Sequence, residues 1–343
     1  MANLNNITGA LLIDATATFL NGAGLGVQED KNLVIPKTYK EKVNNRLEDV
    51  PYVSAQSWRR WLRDTANKEN NWNPSELRAI GEGSEKGSTN KIATELNPIE
   101  FPEDDLFGYM KAGKGNEESV QRTSPFKSSI LKGIKNMRTA NNIDEAFVHL
   151  KEGTPLPYST KFYSTHLEGF FNLEFYRLGM YDNLGSKQEL SSELVEKHAD
   201  KLNKFDLGGK FARYELRNAE ENRKNNAAGL LKGLAYLRGG AKQAAFGADV
   251  SPKVLILAGL ESANPIFNNL FIGTGERPIL NIDLLLELSN DYKEKLATPI
   301  YVGFRKGYLQ NESEVNERLK EGFVLASPIE IVNQFTKNHL TNG

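Results

Sequence analysis

Two apolar runs constrain this chain before any motif does. ITGALLIDATATFL, residues 7–20, is rich in β-branched and aliphatic residues and ends in the glycine-punctuated NGAGLG, the pattern of a strand stopping at a turn. KVLILAGL, residues 253–260, predicts a second buried strand. Between them the period becomes helical. Ala219, Ala227, Leu230, Leu231 and Leu234 predict a helix over 215–238, with GGAK at 239–242 as its stop signal. STHLEGFFNLEFYRLGMY, residues 164–181, alternates and predicts one long strand with Leu167, Phe171, Leu173 and Phe175 on one side. DLFGYM (105–110) predicts a short buried strand and PIYVGFRKGYL (299–309) a last one, with helices over 186–206, 281–296, 313–321 and 328–340. Residues 66–105 are polar and Asn/Gly-rich, then acidic at PEDD, and predict a surface insertion; 143–161 predict an exposed loop or hairpin. The expected class is α+β, strand–helix–strand twice over, with insertions between the elements.

The chain is electrically balanced, 43 basic against 44 acidic side chains in 343 residues. That argues against indiscriminate coating of nucleic acid, but a confined basic groove is compatible with it. Absence of cysteine excludes disulfides and thiolate metal sites and suits a reducing cytoplasm. The histidines, His149, His166, His198 and His339, lack ligand spacing, so neither metal nor cofactor is expected. The N-terminus lacks a basic n-region, and no window reaches the roughly 18 apolar residues of a membrane span. A cytoplasmic protein without membrane contact is the expectation.

Against this neutral background VPYVSAQSWRRWLRDT, residues 50–65, stands out. Read as a helix capped by Ser54 and advanced by about 100° per residue, it puts Ala55, Trp58, Trp61 and Leu62 on one arc. Gln56, Arg59, Arg60 and Arg63 fall opposite. Repulsion between arginines four apart costs roughly a few tenths of a kcal/mol, which an anionic partner would offset. Acids elsewhere in the fold would serve, and so would phosphates, which the planar guanidinium grips in pairs. A second acid-free basic run, Arg122, Lys127, Lys132, Lys135 and Arg138, favours phosphates and one long groove.

Competing motifs fail on single residues. Gly108–Gly115 nearly matches the phosphate loop, but Gly115 stands where a hydroxyl should hold Mg²⁺; Gly22, Gly24 and Gly26 fail the dinucleotide fingerprint because Val27 stands where its third glycine is needed. Glu29 and Asp30 could position a metal or water, though solvated loop charges are the simpler reading. The aromatics of 162–176 read as core, leaving His166 and Tyr163 as candidates to face a base.

Leu20–Asn21, VSAQSWRRWLR (53–63), DLFGYM (105–110), RTSPFKSSI (122–130), STHLEGFF (164–171) and GAKQAAFGADVSPKVLILA (240–258) occur in order. In this ordered set the chain resembles the backbone subunit of type I CRISPR surveillance complexes (Cascade), most closely the DevR-type backbone of subtype I-B. The resemblance implies a hand-like shape. An RRM-like (ferredoxin-like) palm would cover about 1–65, 105–137 and 164–270, a helical finger insertion 66–104, and a β-hairpin thumb 138–163. A C-terminal elaboration would follow at about 280–343. It further implies a non-catalytic subunit that oligomerises along crRNA and presents bases to a target DNA strand, in antiviral defence or RNA-guided transposition. Its partners would be crRNA, further copies of itself and other Cascade subunits. Carried over by position, Asn21, Gln56, Ser57, Arg59, Arg60 and Arg63 would be palm contacts to guide RNA. Lys242 and Gln243 would form a second contact loop, with Lys127 and Lys132 before the thumb; Arg138 and His166 complete the expected RNA-binding set. The alternatives are a type III-like metal-dependent RNase acting through Asp30 or Asp14, and a single-copy nucleic-acid-binding regulator.

Overall fold

A computed structural model describes residues 2–23, 32–43, 45–80, 91–113, 118–137, 139–185, 187–275 and 277–341. The chain starts with β1 (Asn6–Thr18), β2 (Leu33–Val34) and the hairpin β3 (Thr38–Val43)–β4 (Arg46–Val53), then enters α1 (Ala55–Asn70). The ribbon β5 (Arg78–Ile80)–β6 (Lys91–Ala93) and α2 (Pro102–Phe107) come next. Four short strands follow: β7 (Tyr109–Lys111), β8 (Val120–Arg122), β9 (Phe126–Ser128) and β10 (Leu131–Gly133). A long hairpin, β11 (Ala140–Val148)–β12 (Leu156–Leu173), leads to β13 (Met180–Leu184), β14 (Lys187–Gln188), α3 (Ser192–Lys197), β15 (Leu202–Gly208) and β16 (Phe211–Leu216). After α4 (Ala219–Ala235) and the short α5 (Gln243–Phe246) come β17 (Val254–Leu260), the pair β18 (Phe271–Gly273)–β19 (Pro278–Leu280) and α6 (Ile282–Asp291). The chain closes on β20 (Ile300–Phe304), α7 (Glu312–Arg318), β21 (Phe323–Ala326) and α8 (Pro328–His339).

The two apolar runs pair with each other: β1 lies between β17 and β12, antiparallel to both. The main sheet runs β21-β20-β17-β1-β12-β10-β4-β3, with β2, β9 and β11 also on β12. Side chains alternate across it. Ile7, Leu11, Ile13, Leu167 and Phe171 face α1, α4 and α8, meeting Trp58, Leu62, Leu231, Leu234 and Phe335. Ala10, Leu12 and Ile256 face the other way, onto Phe267, Leu270, Phe271 and Leu285. The segment between Ile266 and Leu319 therefore supplies much of the cover on the second face of the sheet, while α8 packs on the first. A smaller sheet, β15-β16-β13-β14-β8-β7, flanks this core.

The mixed α+β class stands, and several boundaries change. DLFGYM splits: Pro at the first helical position starts α2, which takes in Asp105–Phe107, and only Tyr109 onward is strand. The strand expected to run to 181 ends at Leu173, where a 3₁₀ turn at Phe175–Arg177 redirects the chain into the second sheet. Among the described residues of 186–206 only Ser192–Lys197 is helical; Leu202–Gly208 pairs with β16 instead. β20 is not the last strand, because β21 adds parallel to its edge. The segment 143–161 is mostly hairpin, in register from Ala140 opposite Ser164 to Val148 opposite Leu156. Within 66–104 the described residues form the last turn of α1, the β5–β6 ribbon and the start of α2. No described helix is long and apolar enough to cross a membrane.

Candidate nucleic-acid interface

The end of β1 ties three segments together. The Leu20 carbonyl accepts the Ala241 N–H at 3.0 Å, and the Asn21 carbonyl accepts that of Lys37 at 2.8 Å. Asn21 Oδ1 accepts the Ser54 N–H at 3.1 Å. Ser54 in turn caps α1, its hydroxyl accepting the Ser57 N–H at 3.3 Å. Asn21 and Ser57 thus shape the helix entrance, next to an exposed Gln56, and the first turn holds no acid. The partial positive charge of a helix N-terminus is left facing outward.

The loop after α4 docks on this junction. Its Gly239 packs so closely on Trp61 that an added Cβ would lie 2.2 Å from the indole ring. Lys242 follows in the left-handed region at φ 51°. Its ammonium donates to Thr160 Oγ1 at 2.7 Å and to the Tyr158 hydroxyl, with the Tyr158 and Phe19 ring centres 4.6 and 5.5 Å away. Lys242 makes no ion pair among the described residues, and its hydrogen bond holds the Tyr158 hydroxyl below the ordinary tyrosine pKa. Gln243 folds back, its amide donating to the Gly239 and Ala248 carbonyls, so it closes the loop.

The three arginines of α1 do not form one cationic face. Arg59 donates to Ser124 Oγ at 2.7 Å and the Phe107 carbonyl at 3.2 Å, and burial lowers its pKa. It makes no ion pair among the described residues. Arg60 pairs with Asp64 at 2.8 Å, both half-exposed, a contact worth under about 1 kcal/mol. Arg63 is locked to Glu103 by two hydrogen bonds of 2.7 and 2.8 Å, with side-chain exposures of 15 % and 2 %. The acids of PEDD, expected on a surface insertion, are buried on α2 against this face.

The second basic run separates too. Arg122 lies at 2 % exposure, far from any groove. It bonds Asp105 at 2.6 Å and Glu189 at 2.7 Å, and these acids outweigh burial to raise its pKa. Lys127 pairs with Glu174 at 2.5 Å while remaining half-exposed. Lys132 reaches Asn269 at 3.1 Å and Glu168 at 3.5 Å. Leu167 and Phe171 face α1, so Glu168, His166 and the Lys132 opposite Glu168 lie on the other side of the sheet. His166 Nδ1 sits 2.6 Å from the Tyr308 hydroxyl, and burial lowers its pKa. Tyr163 is core at 1 % exposure. Asp14 accepts the Thr16 N–H and hydroxyl at 2.9 and 2.6 Å in a local turn. Arg138, Glu29 and Asp30 lie outside the described residues. Among those described, no group of three His, Asp or Glu is placed to hold a metal.

What remains is a junction tied through Leu20 and Asn21: Asn21 and Ser57 at the start of α1 beside the exposed Gln56, and the loop of Lys242 and Gln243 docked on Leu20, with Arg59 one turn farther along α1. Sequence reasoning missed Phe19, Tyr158 and Thr160, which position Lys242. Alternation within LPYSTKF could have put Tyr158 and Thr160 on one side of a strand, but nothing local links them to a loop more than eighty residues away.

Known proteins supply a context for this geometry. No curated protein matches the sequence. A solved chain described as "CRISPR RNA-guided surveillance complex, pre-nicking" aligns over 97 % of this chain and 99 % of its own, at 12 % identity and TM-score 0.55, a likeness of fold. Another, described as "CRISPR RNA-guided surveillance complex", aligns over the same shares at 11 % identity and TM-score 0.49, too low to carry weight. A sequence model of one family matches residues 27–276, well over half of the chain and including the whole of α1 and the Lys242 loop. The chain belongs to the CRISPR-associated negative auto-regulator DevR/Csa2 family.

Proposed function

We propose that the protein is a non-catalytic backbone subunit of a type I-B Cascade, holding the sugar-phosphate chain of crRNA and exposing its bases to a target DNA strand. The observation that carries this reading is the pair Lys242 and Arg59. Each is confined by hydrogen bonds, and neither makes an ion pair among the described residues. A cation held in place without a counter-charge suits a phosphate, because its ordering cost is already met when the anion arrives. Phosphate contacts would serve any spacer sequence equally. The fold supports an RRM-like palm: β1, α1, β10, β12, α4 and β17 follow in chain order, with the strands side by side as β17-β1-β12-β10. The β11–β12 hairpin, whose β11 residues are all exposed, suits a thumb, and residues 66–104 suit fingers. The similar fold of a chain from an RNA-guided CRISPR surveillance complex agrees in kind.

Copies of such a subunit would stack along the guide beside other Cascade subunits. Light scattering on complexes with RNAs of two lengths tests this. Protein copies should rise in proportion to RNA length. The family description also names a negative auto-regulator, which favours a second reading, a single-copy regulator; a constant stoichiometry would support that instead.

A further inference from the structure

β20 and β21 run parallel, with α7 crossing between them. A cavity of about 500 Å³ opens at the carboxyl ends of both strands. The volume lies within the range of roughly 300–1,000 Å³ common to ligand pockets. Its walls include Phe304 and Leu325, and Arg305, Lys306, Glu312 and Asn316 also line it. Arg305 and Lys306 have no side-chain hydrogen bond or ion pair among the described residues. Only one oxygen of Glu312 is engaged, Oε2 accepting the Gly307 N–H at 2.5 Å, which leaves Oε1 an open acceptor. Asn316 donates its amide to the Glu312 carbonyl at 3.0 Å, leaving its own carbonyl oxygen open.

We propose that this cavity binds a ribonucleotide carrying a 5′-phosphate. Arg305 and Lys306 supply the guanidinium and ammonium that phosphate oxygens take. Phe304 and Leu325 give a base its apolar walls. Asn316 Oδ1 accepts from the base edge, and Glu312 Oε1 accepts from the ribose hydroxyls. The site lies beside the middle of β1, because Leu12 opposes Val254 and Val254 opposes Phe304. The cavity is separate from the Lys242 constellation and stands whether or not the guide-RNA reading does.

Calorimetric titration of the full chain with AMP, dAMP, adenosine and inorganic phosphate tests it. One AMP should bind per chain, at least tenfold more tightly than adenosine or phosphate alone and more tightly than dAMP. Arg305→Gln with Lys306→Gln, the first half-buried and the second exposed, should weaken AMP at least tenfold while guide-RNA affinity stays within twofold; Leu325→Trp should block AMP by filling the cavity. No saturation by millimolar AMP, AMP binding that ignores both variants, or phosphate binding as tightly as AMP would each overturn the proposal. Loss of guide-RNA binding in Arg59→Ala or Lys242→Ala leaves AMP binding untouched, so the two readings fail separately.

Discussion

Arg63 and Glu103 face each other in a two-point hydrogen-bonded ion pair, 2.7 and 2.8 Å, one turn of α1 beyond an Arg59 that makes no ion pair among the described residues. Four residues apart on one helix, two arginines have taken opposite tasks. Arg63 fastens α2 to α1, whereas Arg59 is held by Ser124 and the Phe107 carbonyl without a counter-charge among the described residues.

Arg63→Ala should destabilise the fold by about 3 kcal/mol, because it leaves the Glu103 carboxylate buried with only Asn67 and the Ser75 N–H. Denaturant unfolding checks this. RNA affinity of the fraction that remains folded should stay near the wild-type value.

The same pair gives the fold an acid limit. Burial alone would raise the Glu103 pKa, but hydrogen bonds from Arg63 and Asn67 and the Arg63 charge outweigh it and hold it below the ordinary 4.5. As the pH falls below about 4.5 the unfolded chain therefore takes up the proton first. The contribution is whole above that pH and disappears as the pH falls through the lower folded-state value. Unfolding transitions between pH 6 and 3 should drop less steeply for Glu103→Gln than for the wild type.

Gly239→Ala should weaken guide RNA nearly as much as Lys242→Ala, though it removes no charge. The new Cβ would run into the Trp61 ring and push the loop off its seat, carrying Lys242 away from Thr160. Filter binding against one guide RNA compares the two variants.

Much of the frame was legible because it follows from local pattern. The strands at β1 and β17, α4 and the Ser54 cap of α1 are set by apolar spacing and a capping hydroxyl, and each formed where expected. What escaped was pairing across distance. Glu103 and Asp105 looked like surface acids because their partners, Arg63 and Arg122, are forty and seventeen positions away. A basic run without nearby acids is only locally unpaired: Arg122 found Asp105 and Glu189, and Lys127 found Glu174. The sequence of β15 alone reads as helix, because what sets the strand is its neighbour β16. Lys242 could be singled out by resemblance, but the aromatic and hydroxyl groups that hold it come together only in the fold.

The most direct measurement of the central claim is guide-RNA affinity of the Arg59→Ala, Lys242→Ala double variant, over a range of salt, for two unrelated spacers. Two lost phosphate contacts should weaken both spacers by the same factor and reduce the slope of log affinity on log salt by about 1.4. Unequal losses between spacers, or an unchanged slope, would contradict a backbone-holding role.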